Sequence, residues 1–194
     1  MKAKNTRKLL LQTAITLFAK KGFANTSIRE IGKRAGISTS IIYHYFKNKE
    51  EILFVIIEKS SAELIKELER IQKEISNPVD CLREMLLSHM LHFSMKRKKE
   101  AEILAKDNHL LWGKHLKICR QNQRQIYGLY LEKLDALSKT GMMKDLDPTV
   151  VAFSIFGMIN SFFMWYREGG RLQKKEVANN ILAIINHGIL NSNK

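Results

Sequence analysis

Residues 27–49 read SIREIGKRAGISTSIIYHYFKNK, and the order of small, apolar and polar positions in this stretch decides how the N-terminal part folds. Ser27 with Glu30 three residues on is the capping-box pattern of a helix start. Gly36 supplies the left-handed backbone that a tight turn needs. Ser38 is a natural N-cap for a second short helix. Asn48 opens a further helix with Glu50 and Glu51 in its first turn. Ile28, Ile31, Ala35, Ile37, Ile42, Tyr45 and Phe46 fall on the inner side of this pair of helices. Thr39, Ser40, Tyr43, His44 and Lys47 step i, i+1, i+4, i+5, i+8 and share the opposite face. Upstream, Leu10, Ala14, Leu17 and Phe18 form an apolar stripe that Gly22 ends. The pattern predicts a three-helix head feeding a long fourth helix.

A short helix with a core behind it and small hydroxyls and a tyrosine in front suits the major groove of DNA. Charge points the same way. Residues 1–50 hold eleven Lys and Arg against two Glu, so the head carries +9 of the chain's formal +14. A basic head of this kind is the electrostatic footprint of phosphate binding, whereas a helical hairpin inside an ordinary bundle needs no such charge.

The run from Gly36 to Glu50, GISTSIIYHYFKNKE, resembles the N-terminal signature of TetR/AcrR-family transcriptional regulators, and the likeness covers roughly residues 6–55. The family usually has Thr or Ser where this chain has Ile41, a departure that removes a hydroxyl contact to phosphate, and Thr39 and Ser40 can take over part of that role. On this reading the helix from Ser38 to Tyr45 docks in the groove. Thr39 and Ser40 read base edges. Tyr43, His44, Lys47 and Lys49 meet phosphates, as do Thr26 and Ser27 at a helix N-terminus. Ser38 completes the DNA-binding set.

The 194 residues are 45% hydrophobic with two prolines, and apolar periodicity is helical throughout, so an all-α chain is expected. Cys81 and Cys119 lack CxxC spacing and read as small buried hydrophobes of a reduced, cytoplasmic protein. Met1–Asn5 lacks the apolar run of a signal peptide. Val150–Tyr166 is interrupted by Ser154, Gly157, Asn160 and Ser161 and falls short of a membrane span, so a buried helix is expected there and no membrane partner. P-loop, GxSxG and HExxH patterns are absent, so an enzyme is not expected. His89 and His92, i and i+3 on one helix, with His109 and His115, lack the Cys or carboxylate cluster of a metal site, and neither metal nor cofactor is expected.

Beyond the head, Asn77-Pro78 and Asp147-Pro148 each place a cap residue before Pro. Helices are expected near 48–75, 78–96, 98–107, 113–139, 148–167 and 174–190, with Gly141 and Gly169-Gly170 ending two of them. The division expected is a helix-turn-helix DNA-binding domain over 1–50 and a helical ligand-binding and dimerisation domain over 51–194, joined through one continuous helix.

Val151, Ile155, Met158 and Phe162 stripe the helix after Pro148, and Val177, Ile181, Ile184 and Ile185 stripe the last one. Phe153, Phe156, Asn160 and Phe163 form another stripe, and a helix apolar on several faces needs covering on several sides, which predicts a homodimer through these two helices. The resemblance implies the same pairing and two heads on a palindromic operator. Met90, Phe93, Trp112, Leu116, Phe156, Asn160 and Phe163, with Met85, Met95 and Leu111 beside them, form a Met-rich aromatic set that could line a cavity for a small hydrophobic effector or simply fill a core. Residues 157–170, GMINSFFMWYREGG, resemble a subset of the family several of whose members respond to fatty acyl-CoA or related acyl thioesters. For such a ligand Lys96, Arg97, Lys98 and Lys99 are the nearest dense cations, although the run also reads as a solvated helix end. The reading is a homodimeric repressor released from DNA by an effector, with xenobiotic sensing as the alternative. A nonspecific DNA-coating protein and an acyl-binding enzyme are the rival classes.

Overall fold

The caps written in the sequence set the helix starts. Ser27 Oγ accepts from the Glu30 N–H at 3.1 Å, and Asn77 Oδ1 from Val79 and Asp80 at 2.9 and 3.1 Å. Asp147 Oδ1 accepts from Val150 at 3.0 Å, and Asn48 Oδ1 from Glu51 at 2.8 Å. The Glu30 carboxylate pairs with Lys21 instead of returning to the cap.

The computed structural model describes residues 2–91 and 97–191, with the side chains of 2–4 and 162–164 excepted. His92, Phe93, Met95 and Lys96 therefore lie outside the described residues, as do the side chains of Phe162 and Phe163. The described residues form nine α-helices: α1 (Lys2–Lys21), α2 (Ile28–Ala35), α3 (Thr39–Tyr45), α4 (Lys49–Glu74), α5 (Pro78–Ser88), α6 (Lys98–Asp107), α7 (Gly113–Lys139), α8 (Pro148–Trp165) and α9 (Lys174–Ile189). The expected bounds of α6 and α7 are reproduced, and those of α4, α8 and α9 differ by one or two residues at an end. Of the helix expected over 78–96, α5 covers residues 78–88, a wider π-type turn follows over residues 89–91, and residues 92–96 lie outside the described residues. Among the described residues β pairing is limited to an isolated bridge between Met143 and Leu190, so the chain is all-α.

By packing, the chain divides into two compact units. The first comprises residues 1–61 and 99–121, the second residues 62–98 and 122–194, and the division falls within α4 and α7. In the first unit Leu10, Ala14, Leu17 and Phe18 of α1 are buried together with Ile31, Ile42 and Phe46, as the stripes predict. Ile103, Leu111 and Cys119 join the same core. In the second unit Leu68, Met85, Tyr130, Leu134, Ala152 and Ile155 are fully buried. Each unit holds one cysteine thiol in its core: Cys119 in the first, Cys81 in the second.

The turn between α2 and α3 is closed by an unusually near approach. Gly36 sits at φ 68°, and the Ile37 N–H donates to the Gly32 carbonyl at 2.9 Å. A Cβ added at Gly32 would lie 2.6 Å from the Ile37 carbonyl oxygen and 3.2 Å from Ile42 Cδ1. Both the backbone of the turn and the buried side of α3 lean on that missing methyl. Gly32→Ala is expected to destabilise the first unit by about 1–3 kcal/mol, as overpacking does. Urea unfolding of the variant measures it, and an unchanged midpoint would refute the assignment.

Candidate nucleic-acid interface and effector site

α3 is held from behind by Ile42 and Phe46, both buried, and the Arg7 guanidinium lies 5.2 Å from the Phe46 ring centre. Its outer face therefore points away from the core. Ser40, Tyr43, His44 and Lys47 are exposed, Tyr43 by 57%, and Thr39 is half-buried. Ser38 Oγ caps α3 weakly, accepting from the Ile41 N–H at 3.4 Å, and shares a hydrogen bond with Ser40 Oγ at 2.9 Å. The His44 and Tyr45 rings meet edge-on at 5.3 Å. Ser27 is exposed, and its hydroxyl accepts from Glu30, which leaves its proton available to a phosphate oxygen.

Two members of the expected DNA set are placed elsewhere. Thr26 is buried; its hydroxyl donates to the Gly22 carbonyl at 3.0 Å and its N–H to Phe23 at 3.2 Å, so no donor remains for phosphate. The Lys49 ammonium donates to the carbonyls of Phe23, Thr26 and Ala24 at 2.7, 2.8 and 3.3 Å and lies 4.2 Å from the Phe23 ring centre. Its three protons are thus committed to fastening the loop before α2. Burial pushes the Lys49 pKa down, against the favourable charge of Asp107. Sequence spacing put Lys49 beside Lys47; only the folded loop shows that the Lys49 ammonium turns to backbone carbonyls while Lys47 stays exposed.

Segment 99–121 joins the first unit through the start of α4. Glu50 Oε1 lies 3.1 Å from His115 Nδ1 and receives the Trp112 N–H at 3.4 Å. The His115 ring stacks on Phe54, with centres 4.2 Å apart and planes 10° from parallel.

The expected effector residues are distributed between the units. Met90 is buried in the second unit and Phe156 half-buried there, while Trp112, 69% exposed, and Leu116 belong to the first. Asn160, expected as the polar group of a cavity, is exposed on the outer side of α8. The buried polar pair is instead His89 with Tyr130, a pair that sequence spacing did not single out. The Tyr130 hydroxyl donates to the Met85 carbonyl at 3.1 Å, and His89 Nδ1 stands 3.2 Å from the Tyr130 hydroxyl oxygen. With the phenol proton committed, Nδ1 carries the imidazole proton. Tyr130 and Phe156 meet edge-on at 5.2 Å, with Tyr127 6.2 Å and His89 6.3 Å from Phe156. Burial holds the His89 pKa down at about 4 and raises that of Tyr130 above the usual phenol range. Of the basic run, Arg97 pairs with Glu63, Lys98 donates to the Tyr166 carbonyl at 3.2 Å, and Lys99 is exposed. Among the described residues no three His, Cys, Asp or Glu side chains gather as a metal site would require, and no helix is long and apolar enough to cross a membrane.

The residues expected at the dimer contact are split between the second unit's core and its surface. Val151, Ile155, Val177, Ile181 and Ile185 are buried in the second unit's own core, and Met158 packs against it. Among the described residues, Val150 and Phe153 of α8 and Ile184 of α9 face outward, each 63% exposed, as does Trp165 at the end of α8. Val150, Phe153, Gly157 and Asn160 follow one another at helical spacing along this outer face. Periodicity identifies which residues share a face but not which face the subunit keeps for itself.

Residues 10–56 match the description "Bacterial regulatory proteins, tetR family", and residues 76–189, more than half of the chain, match "Tetracyclin repressor-like, C-terminal domain". The chain belongs to the TetR family of transcriptional regulators. This TetR-family chain is 26% identical over 194 residues to the "Fatty acid metabolism regulator protein" of Bacillus subtilis (strain 168), covering 94% of each. It superposes on AibR in complex with isovaleryl coenzyme A and operator DNA with a TM-score of 0.85 at 27% identity, over 92% of this chain and 97% of that one. The ketosteroid transcriptional regulator KstR2 of Mycobacterium tuberculosis shares the fold, with a TM-score of 0.88 at 24% identity over 96% and 95% of the two chains.

Lys49→Met is expected to cost about 1–3 kcal/mol of stability by stranding three carbonyls, while leaving the salt dependence of DNA binding unchanged; Lys47→Ala should lower that slope by about one and leave stability alone. Parallel urea melts and salt titrations separate the two lysines. His89 is neutral in the fold, and its pKa falls from 6.5 to about 4 on folding. Between those values the unfolded chain binds the extra proton, so this contribution is present above pH 6.5 and is lost as the pH falls toward 4, about 3 kcal/mol in all. The wild-type minus His89→Gln difference in unfolding free energy should shrink across that window; a pH-independent difference would contradict the assignment.

Proposed function

We propose that this chain is an effector-responsive repressor that binds an inverted-repeat operator as a dimer. The observation that carries the reading is the outer face of α3, where Ser40, Tyr43, His44 and Lys47 stand exposed on a helix fixed from behind by Ile42 and Phe46. Thr39 and Ser40 read base edges, and Tyr43, His44, Lys47 and Ser27 hold phosphates. The heads are brought together through the outer face of α8 and α9, with Val150, Phe153, Gly157 and Ile184 at its centre. The effector is an acyl thioester of coenzyme A, its chain received among Met90, Tyr127, Phe156 and the His89–Tyr130 pair of the second unit. The aliphatic and aromatic lining of that core suits an acyl chain. The support for this ligand class is the Bacillus subtilis relative named for fatty acid metabolism and the AibR complex with isovaleryl coenzyme A.

Release from DNA requires the thioester to bind the DNA-incompetent state more tightly, since equal affinity for both states shifts nothing. Acyl-CoA species of graded chain length, titrated into the complex with an in-vitro-selected duplex, are expected to release the protein, longer chains at lower concentration. Release by planar aromatic or cationic drugs and by no acyl thioester would reassign the effector. For assembly, a combined Phe153→Glu and Ile184→Glu variant should sediment as a monomer and bind the duplex at least tenfold more weakly, because a buried unpaired carboxylate costs several kcal/mol. A wild-type protein that is monomeric at micromolar concentration would overturn the dimer.

A further inference from the structure

We propose that Ile41 reads the methyl group of a thymine at one position of each operator half-site, a role that rests on the DNA-binding reading above. Ile41 is the third residue of α3 and is 45% exposed. It does nothing for the core, which Ile42 of the same helix and Phe46 just after it complete. It lies beside Ser40, and His44 and Tyr45 stand one turn further on, so it borders the exposed face that the other α3 side chains form. The backbone N–H of Ile41 is taken by the Ser38 cap, and its side chain has neither donor nor acceptor.

An exposed isoleucine on most surfaces needs no explanation. On a helix that enters the major groove it meets a specific chemical constraint. The groove floor presents N7, O6, O4 and the exocyclic amines, all of which lose water without compensation against an aliphatic side chain. The C5-methyl of thymine is the one apolar group there. An isoleucine at this point of α3 is therefore matched by thymine and penalises every other base pair, and position 41 becomes a specificity determinant in place of a phosphate contact.

The test uses the full-length protein and the duplex obtained by selection from a random pool. Each thymine is replaced in turn by deoxyuridine, which pairs identically and lacks only the methyl. At one thymine per half-site the replacement should weaken wild-type binding about fourfold, the effect of losing one buried methyl, and roughly fifteenfold when both half-sites are changed. Ile41→Ala should melt at the wild-type temperature and bind thymine and uracil duplexes equally at that position. Should Ile41→Ala bind too weakly to measure, Ile41→Val decides, with a sensitivity between wild type and none. A selected motif that tolerates uracil everywhere, or a sensitivity that persists unchanged in the Ile41 variants, overturns this inference alone. A selection that enriches no motif overturns specific DNA binding and this inference with it.

Discussion

The close contact of Gly32 with the Ile37 carbonyl is the constraint on which the head depends. α2 can approach the turn only because no side chain intervenes, and the approach lets Ile37 donate back to the Gly32 carbonyl at 2.9 Å. That closure sets the direction in which α3 leaves the turn, and Ile42 then fills the space against Gly32. Once Ile42 and Phe46 are seated, the helical period alone decides that Ser40, Tyr43, His44 and Lys47 face outward. Lys49 secures the other side of α2 by gathering three carbonyls of the preceding loop around one ammonium. The interface is thus held by a missing methyl on one side and a partly desolvated cation on the other.

Local signals explain what was legible in the sequence. Ser27, Asn48, Asn77 and Asp147 cap helices where their spacing predicts, because a cap needs only its own next few residues. The α1 stripe is buried as read, with Ile31, Ile42 and Phe46, while Ile28, Ala35, Ile37 and Tyr45 are half-buried against the same core. Tertiary direction was less legible. Val151 and Ile155 share a face, as the stripe says, but that face is turned to the subunit's own core, and Val150 and Phe153 look out. Asn160 lies on the outward side for the same reason. Thr26 and Lys49 sit at positions suited to phosphate by sequence, yet a loop fold brings carbonyls to both first. Gly32 carried one readable hint: a glycine inside a helix costs about 1 kcal/mol against alanine and so asks for a packing reason.

The second unit places its polar chemistry economically. A histidine and a tyrosine satisfy one another and the Met85 carbonyl inside a core otherwise built of aliphatic and aromatic groups. Desolvation keeps the imidazole neutral across the physiological range, so the pair offers hydrogen bonds and no net charge. With both donors spent inside the pair, the lining it presents is apolar in character and needs no counter-ion. Arg97 and Lys98, by contrast, already have intramolecular partners, so anionic groups of a ligand would have to compete for them.

The placement of the two thiols gives the protein built-in reporters of its own breathing. Cys119 lies in the core of one unit and Cys81 in the core of the other, and desolvation raises both thiol pKa values, that of Cys119 to about 11. Neither sulfur reacts until its surroundings open, because the thiolate is the nucleophile and burial suppresses it. Under a pulse of alkylating reagent, the rate at each cysteine times the opening of the unit that contains it. Mass spectrometry of two peptides from the unaltered chain would then resolve whether DNA quiets one unit and an effector the other.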